Sequence, residues 1–217
     1  MRNIGRIQAV LLDMDGTLVD AFKPIAVALN TILEEQGLPT MSLLQIRRHT
    51  GSGDGSLAPL FGDQWPAAHQ RFLEIHDVLF LKYITPLPGS VRLLRWLTEH
   101  RIPAAIVTNK SQVRAEAQVA RLGWNAMLRA VVGVEDGRPG KPDPAGVLEA
   151  CRRLQVEGRR SLFIGDGTAD MQAASRAGCT PVGLSTSFSA TELENEGASY
   201  CFASLPEAHA WLSQQIA

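Results

Sequence analysis

Lysine is scarce in this chain of 217 residues. Four are present, Lys23, Lys82, Lys110 and Lys141, against 17 Arg. An ammonium is a compact point charge and a guanidinium a broad fork, so the two are not interchangeable. Keeping Lys at 110 and 141, beside motifs described below, therefore supports a specific use there. Long apolar runs are missing as well. None approaches the roughly 20 residues of a membrane span, so no membrane association is expected. The net charge of −1 offers no electrostatic footprint for nucleic acid. The three cysteines, Cys151, Cys179 and Cys201, lack the spacing of a metal site and read as reduced, buried thiols. Arg2 and Arg6 precede an apolar run too short for a signal peptide, and a cytoplasmic location is expected.

What remains is ordinary globular composition, 45% hydrophobic and 20% charged. The length fits one large domain or a domain with an insert. Strands are expected at Gln8–Leu12, Ala104–Val107, Ala130–Val132, Leu162–Ile164 and Pro181–Leu184. Helical periodicity falls between them, at Val91–His100, Ser111–Leu122, Pro144–Leu154, Thr168–Ala177 and Ala190–Glu196, with Leu205–Gln215 closing the chain. This alternation predicts βα units about a parallel sheet. From Ala21 to Thr85 the rhythm breaks. Pro24–Gln36 and Pro66–Tyr83 read as helices and no strand is evident, up to the stiff Thr85-Pro86-Leu87-Pro88-Gly89 linker. A helical lid over residues 21–85 is expected, on a core of residues 1–20 and 86–217.

Polar clusters follow the strands. Asp13-Met14-Asp15-Gly16-Thr17 follows the first, Thr108-Asn109-Lys110 the second, and Gly165-Asp166-Gly167-Thr168-Ala169-Asp170 the fourth. Gly140-Lys141-Pro142-Asp143-Pro144 opens a helix one loop after the third. Parallel strands with right-handed crossovers end on one edge, so these clusters should meet there.

Asp13 and Asp15 can point the same way only while the strand persists, and Gly16 breaks it. Like charges so close repel unless a cation lies between them or one is protonated. The pattern points to a Mg²⁺ site with Asp13 as the nucleophile on phosphorus and Asp15 as acid and base. A calcium-loop reading of the two aspartates fails, because Gly16 is misplaced and Pro24 stands where the closing Glu belongs. Thr108 offers a hydroxyl to phosphoryl oxygen, or caps the following helix. Lys141 neutralises charge on phosphoryl oxygens and Asp13, or is a solvated loop lysine. Gly16 and Asn109 are placed at the phosphate. Asp166 joins Asp13 and the backbone oxygen of Asp15 around the metal, with Asp170 acting through water or as a helix-start charge.

DMDGT, the Thr108 cluster, GKPDP and GDGTAD, in this order over nearly the whole chain, resemble the haloacid dehalogenase superfamily, and most of all its phosphoglycolate phosphatase-like branch. The resemblance implies an α/β fold: a Rossmann-like parallel-sheet core with an inserted α-helical cap of the first type (C1). It implies Mg²⁺-dependent hydrolysis of a small phosphorylated metabolite, phosphoglycolate first, by a monomer or homodimer. Asp13, Asp15, Thr108, Lys141 and Asp166 then take the roles above. Ala21 and Gly167 stand where such relatives often carry Ser. A sugar-phosphate phosphomutase and a non-catalytic binding module are the alternatives. Free phosphate, an isomer or no turnover separates the three.

The cap holds Arg47-Arg48-His49-Thr50-Gly51-Ser52-Gly53-Asp54-Gly55, read as a loop that presents Arg47, Arg48 or His49 to an anionic leaving group. Its glycines permit close backbone approach. The alternative is an exposed helix end. His69, His76, His100 and His209 read as helix-surface residues, and Trp65, Trp96, Trp124 and Trp211 as packing.

Overall fold

Strand β1 (Ala9–Leu12) lies inside a six-stranded sheet in which every pairing is parallel. The sheet order is β5-β4-β1-β6-β7-β8. Here β4 is Ala104–Ser111, β5 Ala130–Val134, β6 Ser161–Gly165, β7 Thr180–Leu184 and β8 Tyr200–Phe202. This is a computed structural model, and it describes residues 7–53 and 58–216. Arg2, Arg6, Asp54 and Gly55 lie outside the described residues.

The chain builds outward from β1 to β4 and β5, then crosses to β6, β7 and β8 on the other side. A topological switch point therefore falls at the carboxyl end of β1, where open α/β sheets bind ligands. Register holds the ends level: Leu12 pairs with Ile106 on one side and Ile164 on the other.

Side chains alternate across the sheet. Val10, Leu12, Ile106, Leu162 and Ile164 face one layer, with α5 (Ser90–Glu99), α6 (Gln112–Leu122) and α10 (Leu205–Ile216). Leu11, Ala105, Val107 and Phe163 face the other, with α7 (Ala145–Leu154) and α8 (Thr168–Arg176). Covered on both faces, these strands read as unbroken apolar runs, as parallel strands should. Cys151 and Cys179 are buried in the second layer, while Cys201 is only half-buried. A short helix α9 (Ala190–Asn195) packs beside β7 and β8.

Between β2 (Val19–Asp20) and β3 (Thr85–Pro86) run α1 (Phe22–Glu35), α2 (Leu43–Gly51), α3 (Ala58–Phe61) and α4 (Trp65–Leu79). These four helices have a core of their own. Phe22, Ile25, Leu29, Ile32 and Leu33 repeat at helical spacing on α1 and meet Ile46, Phe61 and Ala68. Two short strands at the ends of this segment were not expected from the sequence. β2 and β3 pair antiparallel, Val19 with Pro86 and Asp20 with Thr85, and form a neck through which the chain enters and leaves.

A second correction concerns the expected loop from Arg47. Residues Leu43–Gly51 are helix, begun by a reciprocal capping box between Ser42 and Gln45. Arg47, Arg48 and His49 therefore lie on its last turns.

Candidate active site

The polar clusters do meet at the strand ends. Asp13, directly after β1, donates its backbone N–H to the Ile164 carbonyl at 2.9 Å, which holds it against β6. Asp166 follows β6, and Asp170 sits in the first turn of α8. Carboxylate oxygens of Asp13, Asp166 and Asp170 lie within 4.8 Å of one another, and all three residues are buried. Lys141 is buried among them. Its Nζ donates to Asp13 Oδ1 at 2.5 Å and to the Val107 carbonyl at 3.0 Å, and it lies 2.6 Å from Asp170 Oδ1.

Burial penalises charge. It pushes the Asp13 carboxyl well above its ordinary range, against the pull of Lys141. It lifts Asp166 to about 7, helped by the neighbouring Asp170. At Lys141 burial acts downward, but Asp13 and Asp170 outweigh it and the ammonium is held above its usual value. Three buried carboxylates against one ammonium leave negative charge uncompensated. That donor set, all hard oxygen, fits a divalent cation such as Mg²⁺.

Neighbouring residues fix the carboxylates. Thr17 Oγ1 donates to Asp166 Oδ1 at 3.1 Å, and Ser187 Oγ to Asp166 Oδ2 at 3.0 Å. Gly16 has φ +92°, and a Cβ there would lie 2.4 Å from Asp166 Oδ2, so only glycine lets the first and fourth clusters approach. The Gly167 N–H donates to Asp170 Oδ2 at 2.9 Å. Asp170 thus stands in the carboxylate cluster itself.

Asp15 stands apart from that cluster but lines the same cavity. Its carboxylate pairs with Lys110 Nζ and accepts from Gln118 Nε2 at 3.2 Å, and it does not join the three-carboxylate cluster. Thr108 is buried, lines the same cavity and accepts the Lys110 N–H at 3.2 Å. It does not cap α6, which starts after Ser111. Asn109 braces the Lys141 backbone: its Nδ2 donates to the Lys141 carbonyl at 2.9 Å, and its Oδ1 accepts the Lys141 N–H at 2.6 Å. The Lys141–Pro142 bond is cis.

The cap residues divide differently from the expectation. Arg47 lines the cavity, its guanidinium 4.7 Å from the Phe22 ring centre. Arg48 and His49 are not among the lining residues. Arg48 instead pairs with Glu192, donates to the Ser187 carbonyl at 3.3 Å and lies over Phe188. It ties α2 to the segment before α9. The glycines do permit close approach. A Cβ on Gly167 would sit 2.4 Å from the Gly51 carbonyl oxygen, where cap and core touch.

Reading His76 and His209 as surface residues was wrong: both are buried. His76 lines the cavity with His69 and Trp65, and its ring stacks between Phe72 and Phe80 at 5.4 and 5.3 Å. Lys110 was given no partner in the sequence reading, and Thr17, Ser187 and Gln118 were given no role there. The lysine scarcity marked Lys110, and Thr17 belongs to DMDGT, but Ser187 and Gln118 carry no local signal.

The profile of haloacid dehalogenase-like hydrolases matches residues 10–184. The chain belongs to this family. Among curated proteins it is 29% identical over 192 residues to a phosphoglycolate phosphatase of Chromobacterium violaceum, covering 84% of this chain and 86% of the relative. It is 30% identical over 190 residues to a phosphoglycolate phosphatase of Pseudomonas savastanoi, covering 81% and 68%. A solved hydrolase from Pseudomonas syringae superposes with TM-score 0.82 at 26% identity, over 95% of this chain and 98% of that one. A haloacid dehalogenase-like protein from Streptococcus pneumoniae shares the fold, at TM-score 0.84 and 23% identity, over 95% and 98%. The chain is an enzyme, a phosphatase of this family. No described helix is long and apolar enough to cross a membrane.

Proposed function

We propose that the enzyme hydrolyses small phosphomonoesters with Mg²⁺ through a phosphoryl group carried on Asp13. The observation behind this reading is the buried constellation at the switch point, with Lys141 Nζ 2.5 Å from Asp13 Oδ1 and the Asp166 and Asp170 carboxylates beside them. In the first half-reaction an Asp13 oxygen attacks phosphorus and the bond to the leaving alkoxide breaks. Asp15, steadied by Lys110 and Gln118, gives its proton to that alkoxide. In the second half, Asp15 takes a proton from water as the water attacks phosphorus. The bond to Asp13 breaks and inorganic phosphate leaves. Lys141 and the Thr108 hydroxyl face the negative phosphoryl oxygens throughout. Asp13, Asp166 and Asp170 would hold the Mg²⁺, which when bound supplies positive charge against that developing on the phosphoryl oxygens.

Residues 21–85 act as the cap on a core of residues 1–20 and 86–217, excluding water from the cavity. The names of the relatives make phosphoglycolate the first ester to assay. The test is phosphate release from a panel of phosphorylated metabolites with Mg²⁺. Asp13→Asn should abolish turnover while leaving circular dichroism and the melting temperature unchanged. Turnover near the wild-type rate in that variant would remove the nucleophile from the scheme.

A further inference from the structure

Phosphoryl chemistry occupies one end of the cavity only. The space has a volume of about 330 Å³ and runs from Asp13, Asp15 and Lys141 into the cap. The apolar part of its cap wall is Ile25, Leu29 and Ile32 from α1 with Trp65, Phe72 and Leu73 from α4, and Arg47, Thr50, His69 and His76 complete that side. Most of these residues also form the apolar core of the cap. Protein cores normally pack with few voids larger than a water molecule. Here two helices present their apolar faces to a chamber that opens onto the nucleophile.

Most of the charge on the walls is already engaged, that of Arg47 least of all. Lys110 pairs with Asp15, and Arg114 clasps Asp77 with two contacts of 2.6 Å. His76 is held neutral near pH 7, because burial lowers its pKa to about 4. Among the described residues, Arg47 is the one Lys or Arg of the cap that lines the cavity. It rests on Phe22, 4.0 Å from the Asp20 carboxylate, and its Nε is buried without a hydrogen-bond partner. Beyond its ester oxygen, glycolate offers one methylene and a carboxylate. Such a group would leave the α1–α4 faces uncovered and would depend on Arg47 as its one Lys or Arg partner on the cap side.

We propose that the preferred substrates are phosphomonoesters whose alcohol carries an apolar ring or branched chain, lodged between α1 and α4, ahead of phosphoesters of short hydroxy acids. This rests on the phosphomonoesterase reading of Asp13 above. The phosphate sits at the sheet edge, and the apolar body displaces water from the chamber. Chambers of this size and lining are typical of small-molecule sites. Specificity comes from burial of the alcohol, since each added methylene in an apolar pocket changes kcat/KM by about 10- to 200-fold.

The experiment compares kcat/KM for ethyl, isobutyl and benzyl phosphate and for phosphoglycolate, with Mg²⁺ and with Asp13→Asn as background. The three neutral esters all release primary alcohols of similar basicity, so their differences report the chamber. The expected order is benzyl above isobutyl above ethyl, spanning at least about tenfold, with phosphoglycolate below benzyl. Leu73→Lys, which sets an ammonium on the apolar wall, should drive the benzyl-to-ethyl ratio toward one. Should that variant fail to fold, inhibition of the wild type by benzylphosphonate against methylphosphonate reads the same preference without turnover, again at least about tenfold. A flat series, or a preference for phosphoglycolate that disappears in Arg47→Gln, overturns the proposal and leaves the phosphatase reading intact. No release from any ester above the Asp13→Asn background overturns both.

Discussion

On the sheet side of the cavity, charges interlock. Lys141 bridges Asp13 and Asp170, Lys110 holds Asp15, and two hydroxyls hold Asp166. On the cap side, Ile25, Leu29, Ile32, Trp65, Phe72 and Leu73 present hydrocarbon. Buried charges are costly to desolvate and tolerate little misplacement, so each one is anchored by residues from several strand ends. Apolar contact is non-directional and scales with area, so the opposite wall tolerates change of shape. One face can thus carry the chemistry while the other carries selectivity.

Three substitutions probe that contrast beyond the Asp13 and chamber experiments. Lys141→Met on the charged wall has the largest expected effect. It leaves Asp13 and Asp170 without their common cation, and kcat should fall by about 10²- to 10³-fold, as when one transition-state charge donor is lost. Single-turnover assays with denaturant melts alongside would expose a purely structural effect.

His76 sits where the two walls join, and its contribution is to stability. Burial chiefly, with Lys110 adding to it, lowers its pKa to about 4, while Asp77 and Asp15 oppose the shift. In the unfolded chain the ring titrates at about 6.5. Above that pH neither state binds the proton and the full stability is present. As pH falls from about 6.5 toward 4, the unfolded chain takes up a proton that the folded one refuses, and stability drops by about 3 kcal/mol. His76→Phe should remove this part of the slope in urea titrations at stepped pH. An unchanged slope would mean that the ring is solvated in the folded protein.

The smallest effect belongs to the rim. Arg114→Ala breaks its two contacts with Asp77, which join core helix α6 to cap helix α4. Half-exposed ion pairs are worth about 0.2–1 kcal/mol, so the melting temperature should shift slightly. A rise in KM larger than the loss in stability would show that this pair also holds the cap down.

Much of this was readable in the chain. The central strands stand out because burial on both faces makes them continuous apolar runs, and the polar clusters follow them at once. β8 escaped notice because Tyr200, Cys201 and Phe202 are only half-buried. β2 and β3 are two residues each and exist only by pairing across the whole insert. Helix α2 buries one residue, Ile46, and its Arg-Arg-His-Thr run hides the periodicity. The Ser42–Gln45 capping box was the overlooked signal. Pairing of Asp15 with Lys110, and of Arg48 with Glu192, depends on elements about a hundred residues or more apart. Nothing local encodes either, so a sequence reading of Arg48 has no means to anticipate its pairing with Glu192.

The neck of Val19–Asp20 against Thr85–Pro86 has an architectural consequence. Everything from Ala21 to Ile84 hangs from two adjacent backbone segments joined like the ends of a clasp. Because those two attachment points lie side by side, the insert leaves the sheet and returns to it without spreading its strands apart.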